Sequence, residues 1–330
     1  WKLGRTSMGV EFRNEGVKSN VLGKPMKEPQ DVPFEKEGQY LKSDNRSNIS
    51  YFLEHNVLLR RFTLSVGVLA NYNSALNEGI HFYPGIDASY RIGDNVRLYG
   101  SWNRALRMPT FTDLYYEGKT NKGNPDLKPE ESEAFEVGLK YNTYFLRAHI
   151  AGFYRKGKNM IDWVKEKPED IWESQNLTKV DNLGFETNLS LLPRELGNER
   201  FFIRKIELGY AFIHQDKDSE GYISNYALDY LKHKFTAQLS HSIWKGFSAT
   251  WYVRWQDRAG SYTKYENLKP AYEEPYAPYC LVDMKVNWEY QRLNLYAELN
   301  NLLNSTYYDL GNIPQPGIWF KAGFRYSFKY

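Results

Sequence analysis

A single cysteine, Cys280, has no second cysteine to pair with, so the chain can hold no internal disulfide and no cysteine metal cluster. Histidine is scarce too. The six (His55, His81, His149, His214, His233 and His241) are scattered, and none forms an HxxxH-type metal pair. Long apolar runs are missing: none approaches the ~18 residues that a membrane-spanning helix needs, and mean hydropathy is −0.66. This excludes a helical membrane protein. It leaves a membrane barrel open, because barrel strands alternate lipid-facing with lumen-facing residues and average out to a soluble-looking value. Neither sign of charge dominates. With 43 Lys and Arg against 40 Asp and Glu, the net charge is +3, and nothing calls for nucleic acid. No Gly-x-Ser-x-Gly or other catalytic constellation occurs, so neither an enzyme nor a cofactor is expected. The chain opens at Trp1 without a charged-then-apolar leader, which points to a trimmed precursor or a piece of a longer protein.

What is abundant is alternation and aromatic side chains. Aromatics make up 16% of the 330 residues, with 27 Tyr and 9 Trp. Val96, Leu98, Gly100 and Trp102 alternate with Arg97, Tyr99, Ser101 and Asn103. Phe135, Val137 and Leu139 alternate with Glu136, Gly138 and Lys140. A period of two is the period of extended strand. Between these runs Pro109, Pro125, Pro129 and the pair Gly123-Asn124 predict a long polar and aromatic loop with no third regular element. Glu130, Glu131 and Glu133 read as a solvated charge run at its base.

The same pattern recurs along the chain. Strands are predicted at Gly4–Asn14, Ser47–Leu53, Phe62–Ala70, Phe82–Ile92, Phe145–Arg155, Ser174–Leu191, Phe201–Ile213, Lys232–Ile243 and from Phe247. Three clean strands end the chain. Polar loops are predicted at Lys18–Asn45, where Pro25, Pro29 and Pro33 break any ladder, and at Asn71–Gly79, Lys156–Glu173, His214–Asn225 and Gln256–Tyr276. This makes about fourteen strands without a helix signal. Long connections follow the odd strands and short turns the even ones. A soluble meander has no reason to keep that parity, whereas a transmembrane barrel keeps short periplasmic turns and long outer loops. The apolar faces are nearly free of charge. The opposite faces carry Arg97, Arg147, His149, Arg254, Asp283, Lys285, Glu289, Glu298 and Arg325, too many to bury in a dry core. The bland alternative is a soluble β-sandwich or propeller with one solvated face, and a soluble, Tyr-rich carbohydrate-binding β-protein is a further rival.

Several motifs carry a family resemblance. Ser101-Trp102-Asn103-Arg104-Ala105, then Arg107-Met108-Pro109, then Asn124-Pro125-Asp126-Leu127 with Pro129-Glu130 resemble the barrel signature of TonB-dependent outer-membrane transporters. Asn182-Leu183-Gly184-Phe185-Glu186 is similar to the family's mid-barrel signature, and Leu299 to Tyr308 to its penultimate-strand signature. Lys321, Gly323, Tyr326 and Phe328, within a series Phe324, Tyr326, Phe328 and Tyr330, resemble the final-strand signal read by the barrel assembly machinery.

The resemblance implies an all-β, antiparallel, up-and-down transmembrane β-barrel portion, residues 1–330 being the last fourteen strands of twenty-two. The plug and the TonB box would lie in an absent N-terminal part, through which alone TonB would act. Localisation would be the Gram-negative outer membrane, in contact with its lipid, with a surface lipoprotein as a further partner. The cargo would be a scarce, bulky metal chelate. The Arg107-Met108-Pro109-Thr110-Phe111 form is most similar to the vitamin B12 (corrinoid) branch, as found in Bacteroidetes; a ferric siderophore is the alternative, and a plugless passive pore the rival from another class. Haem is not implied, since no histidine lies between Arg107 and Pro125. Arg107, Tyr115, Tyr116, Tyr262, Tyr265, Tyr272, Tyr307 and Tyr308 are the loop candidates for ligand contact, because tyrosines offer large, rigid, amphipathic area. The motif residues Arg107, Pro109, Asn124, Pro125, Leu127, Pro129, Glu130, Gly184 and Glu186 are expected to be structural, and His149 a hydrogen-bonded wall residue.

Overall fold

Fourteen long strands follow one another in sequence and in space. In this computed structural model residues 4–76, 79–167, 169–197, 200–218, 221–224, 230–266, 269–311 and 313–328 are described. The strands are β1 (Gly4–Ser19), β2 (Gln39–Leu58), β3 (Phe62–Asn73), β4 (Ile80–Arg91), β5 (Val96–Arg107), β6 (Glu130–Asn142) and β7 (Leu146–Lys165). They continue as β8 (Trp172–Leu191), β9 (Ile203–Asp218), β10 (Tyr230–Ser242), β11 (Phe247–Ala259), β12 (Tyr279–Tyr290), β13 (Leu293–Asn300) and β14 (Trp319–Tyr326). Each pairs antiparallel with the next, from β1 on β2 through β13 on β14. Among the described residues no ladder joins β14 back to β1.

Register decides what the sheet can do. Directly opposed residues share a face, and the apolar sets stay opposed from strand to strand. Val10 faces Tyr51, which faces Ala70, which faces Phe82. Gly100 faces Val137, then Gly152, Phe185 and Phe212 follow. Leu239, Trp251, Met284, Leu299 and Phe320 continue the series. The result is one apolar belt, and it is exposed: Phe12 is 67% accessible, Val137 62% and Phe324 74%. The accessible surface is 22048 Å², against about 14,000 Å² for a compact soluble chain of this mass. A sheet with a second packed layer would hide such a belt, so the soluble β-sandwich reading fails here. The belt is matched to lipid instead.

The other face curls around a lumen. Lys140 on β6 and Asp283 on β12 line one cavity of about 610 Å³ together with Arg147, His149 and Arg254. On a flat sheet strands six apart would lie about 29 Å from each other. Lys285, Glu289, Glu298 and Arg325 line a second cavity of about 1040 Å³ beside the β13–β14 edge. The inward charges read from the sequence therefore face water-accessible space.

Connections keep the expected parity only in part, since the six residues 166–171 after β7 are fewer than the eleven residues 192–202 after β8. Those after β2, β4, β6, β10 and β12 are the tight turns 59–61, 92–95, 143–145, 243–246 and 291–292. The turn after β8 carries a 3-10 helix, Pro193–Leu196, closed by Gly197 at φ 108.

Several expectations about the loops are overturned. Segment 214–225 begins as strand, since β9 runs to Asp218, and segment 256–276 holds the end of β11 and a hairpin of Ser261–Glu266 with Lys269–Pro275. Segment 18–45 is not a bare loop: β1 pairs through Ser19 with Lys42, and a further strand, Lys24–Asp31, lies along β2. Pro25 is accommodated because the ladder shifts register between Pro25 and Gln30 on an edge, where a missing N–H breaks nothing. Segment 156–173 is likewise mostly strand, since β7 and β8 are each 20 residues long. The loop 108–129 contains a helix, α1 (Phe111–Tyr115), started by a capping box in which Thr110 and Asp113 satisfy each other's backbone N–H. Tyr330, the last of the expected aromatic series, lies outside the described residues.

Candidate functional site

The outer ends of β2, β5 and β6 hold the loop that carries α1. Arg107 forks onto Glu130, with Nε and Nη2 each donating at 2.5 Å to one carboxylate oxygen. Glu130 is buried and also accepts the Ile161 N–H at 2.7 Å. It is therefore not part of a solvated charge run: burial with a bidentate guanidinium makes it the anchor that ties β5, β6 and β7 together. Glu131 and Glu133 are paired instead with Arg104, at 3.5 and 3.4 Å. Arg46 reaches across from β2, donating to the Pro109 carbonyl and to Glu15, both at 2.6 Å, while its guanidinium sits 4.9 Å over the Phe111 ring.

The Asn-Pro-Asp-Leu motif locks the far side of the same loop. Asn124 donates its N–H to the Asp113 carbonyl at 2.9 Å, and its side chain accepts from Asp126 N at 2.9 Å, an Asx turn that Pro125 supports. Leu127 is buried. Just before Pro129, Lys128 exchanges two hydrogen bonds with the Asn176 side chain on β8. Gly123 must be glycine, because a Cβ there would lie 2.8 Å from the Tyr115 N and 2.9 Å from the Asp113 carbonyl oxygen.

Tyr115 donates to Asp44 at 2.5 Å. Burial, and then this hydrogen bond, push its phenol well above the usual tyrosine range. A raised folded value means that the contact stabilises fully below the unfolded pKa of about 10 and is lost as pH rises beyond it. Tyr115→Phe is expected to remove one late-titrating phenol from an ultraviolet difference titration. It should also lower stability near neutral pH by about 1.5 kcal/mol, as loss of a hydrogen bond to a charged partner does. Tyr116 is partly exposed, its ring edge-on to Trp163.

The remaining loop tyrosines gather elsewhere, in a lobe built from a hairpin (Ser261–Glu266 with Lys269–Pro275) and the last outer loop. Tyr262 lies between Tyr276 and Tyr308, at 5.1 and 5.4 Å between rings. Tyr307 lies tilted against Tyr279, with ring centroids 4.6 Å apart. Lys264 donates to Glu274 at 2.8 Å and holds its carboxyl below the usual range, while burial and Glu274 push the Tyr262 phenol up. Tyr262 and Tyr276 are buried, whereas Tyr265 and Tyr272 stand exposed. So the eight candidate contacts are not one constellation. Arg107 and Tyr115 are engaged by the carboxylates Glu130 on β6 and Asp44 on β2, Tyr262, Tyr307 and Tyr308 build the lobe, and Tyr116, Tyr265 and Tyr272 offer surface.

Asn301 knots that lobe to the wall. Its N–H donates to Asp283 and its side chain serves Ser305 and the Pro316 carbonyl, at a left-handed φ of 51. Inside the lumen Tyr99 donates to Glu136 at 2.7 Å and meets His149 at 2.8 Å, with Glu186 3.8 Å beyond. His149 is thus a hydrogen-bonded wall residue. Gly184 leaves room for the Phe153 ring; an added Cβ would sit 2.4 Å from the Phe212 carbonyl oxygen. Gly184→Ala is expected to lower the unfolding midpoint by the equivalent of about 1–3 kcal/mol, as overpacking against backbone does, measurable as reduced resistance of the barrel to urea. At the β14 end, Lys321 pairs with Glu298 at 2.5 Å, Gly323 lies beneath the Tyr296 hydroxyl, and Tyr326 meets Phe328 edge-on at 4.9 Å. Among the described residues no group of three metal-ligating side chains occurs.

Three comparisons bear on this arrangement. Residues 1–302 match the family described as TonB dependent receptor-like, beta-barrel. The Vitamin B12 transporter BtuB of Vibrio vulnificus (strain YJ016) is 25% identical over 191 residues, 53% of this chain and 30% of that protein. The Ferrienterobactin receptor of Escherichia coli (strain K12) is 22% identical over 297 residues, 81% of this chain and 38% of that protein. The chain therefore spans about a third of the length of these relatives. A crystal structure of the ferric enterobactin receptor PfeA from Pseudomonas aeruginosa superposes with a TM-score of 0.73 at 19% identity, covering 98% of this chain and 51% of that one.

Proposed function

The chain belongs to the TonB-dependent receptor β-barrel family of the Gram-negative outer membrane, and from that premise we propose that it is the C-terminal barrel portion of an energised importer for a corrinoid of the vitamin B12 type. The proposed whole has twenty-two strands, of which these are the last fourteen, and a plug and TonB box supplied by the preceding part. This portion contributes lumen wall and part of the outer binding surface. The observation that carries the cargo class is the tyrosine lobe. Its rings, with Tyr265 and Tyr272 exposed at the hairpin, give the broad amphipathic area that suits a bulky, largely uncharged chelate. The likeness to the B12 transporter supports the same cargo. The longer match to the ferrienterobactin receptor favours a second reading, a ferric siderophore.

The test is uptake by the complete gene in a host stripped of its own corrinoid transporter, with and without TonB. Growth on scarce cyanocobalamin that requires TonB is the expected result. Accumulation of a ferric catecholate in its place moves the cargo to the second reading. Solute entry that ignores TonB overturns energised import and leaves a plugless pore.

A further inference from the structure

The outer third of the lumen contains a pocket whose wall is electrostatically finished but whose hydrogen bonding is not. It measures about 490 Å³ and lies across β1 to β5. Four arginines line it, and each is already held by a carboxylate: Arg13 and Arg46 by Glu15, Arg104 by Glu131 and Glu133, and Arg107 by Glu130. Glu11 adds a further negative charge to the wall. Such a pocket has little free positive charge to offer a polyanion.

Two buried polar atoms in the same wall are left open. Tyr83 and Asn71 are each only 7% exposed. Among the described residues the Tyr83 hydroxyl and the Asn71 Oδ1 have no hydrogen-bond partner. The Asn71 amide nitrogen is committed, donating to Ser50 at 2.9 Å. The two are close neighbours, because Tyr83 lies directly across from Leu69, two residues from Asn71 on the same inward face of β3. Buried polar atoms left unpaired are unfavourable and mark a place where something else completes them. Here the missing partner must donate to an amide oxygen and accept from, or share, a phenol.

The geometry points to a subsite for a primary carboxamide: Asn71 Oδ1 accepts the amide N–H, and the Tyr83 hydroxyl donates to the amide carbonyl. The inference rests on the corrinoid reading and deepens it. The rim of a corrin ring carries several primary amide arms, each with both a donor and an acceptor. A ferric tris-catecholate presents only acceptor oxygens and a net negative charge. It would leave Asn71 unsatisfied and meet Glu11 unfavourably. A pocket of this volume takes one arm of the ring edge and not the ring itself. Asn71 and Tyr83 are thereby specificity-determining residues.

The experiment is equilibrium binding of cyanocobalamin to the complete transporter purified in detergent, with a ferric tris-catecholate as the second probe. Tyr83→Phe removes only a hydroxyl that has no hydrogen-bond partner among the described residues, so the fold of this portion should be untouched. It is expected to weaken cyanocobalamin about five- to tenfold, the loss typical of one buried neutral hydrogen bond. Asn71→Ala should do the same, and a corrinoid whose amides have been hydrolysed to carboxylates should bind the unaltered protein more weakly than cyanocobalamin. Tyr51→Phe, on the lipid face, is the control and should change nothing. If cyanocobalamin binds and Tyr83→Phe binds it equally well, the subsite is overturned while the corrinoid reading stands. If the unaltered protein takes the ferric catecholate and not cyanocobalamin, both fall together.

Discussion

Val137→Arg should abolish stable assembly of the barrel in the membrane, while Ser101→Arg, on the adjacent strand but the opposite face, should leave it nearly intact. Val137 lies in the belt between Gly100 and Gly152 and is 62% exposed, so most of its side chain meets solvent or lipid. In water an exposed arginine there would be harmless. At the middle of a bilayer it costs about 2–4 kcal/mol, a large share of the 5–15 kcal/mol that holds a typical domain folded. Ser101 faces Glu136 across the ladder on the inward side, where a cation gains a partner and remains hydrated. The measurement is the folded fraction recovered from outer membranes, read by resistance to protease and to denaturant. Equal recovery of both variants would mean that the belt is not buried in lipid.

Arg107→Ala should release the loop carrying α1 and destabilise the outer half of the barrel by about 2–3 kcal/mol. The lost partner leaves Glu130 charged with its side chain only 10% exposed. Orphaning a fully buried charge costs about 3–5 kcal/mol; the figure is reduced here because the Arg107 side chain is 50% exposed, where solvent screens part of the interaction. The double variant Arg107→Met with Glu130→Leu should recover part of the loss, since no charge is then stranded, though Ile161 still loses its acceptor. Urea unfolding of the three proteins measures the difference, and proteolysis within 108–129 reports the loop. A double variant worse than Arg107→Ala would show that Glu130 is held by something other than this guanidinium.

Both results depend on features that differ in how visible they are in the sequence. The belt is written as a period of two, and any stretch such as Val96–Trp102 or Phe135–Leu139 shows it because one face meets lipid and the other water. The Arg107–Glu130 pair is not written as a pair. Both residues stand in motifs, but Glu130 sits beside Glu131 and Glu133, and nothing local distinguishes the buried carboxylate from its solvated neighbours. The strand extensions were hidden for a related reason. β1 is 16 residues long, about 54 Å at the usual rise, roughly twice the apolar band of about 25 Å. Above that band both faces are wet, so alternation disappears although the ladder continues. α1 is not legible in the sequence because five residues are too few to show a helical period; only the spacing of Thr110 and Asp113 betrays its cap.

The sequence by itself determined the class of protein. Strand number, the tight turns after β2, β4, β6, β10 and β12, the nearly charge-free outer face and the ordered motifs all follow from local spacing, and local spacing survives in a linear string. Tertiary structure alone decided which carboxylate is buried, that the eight candidate contacts divide between two outer-loop clusters, and that Tyr83 and Asn71 meet in one pocket with open hydrogen bonds. Those are facts about neighbours brought together by register across strands. A register has no signature in either strand alone, because it is fixed by the whole sheet keeping its apolar residues on one side.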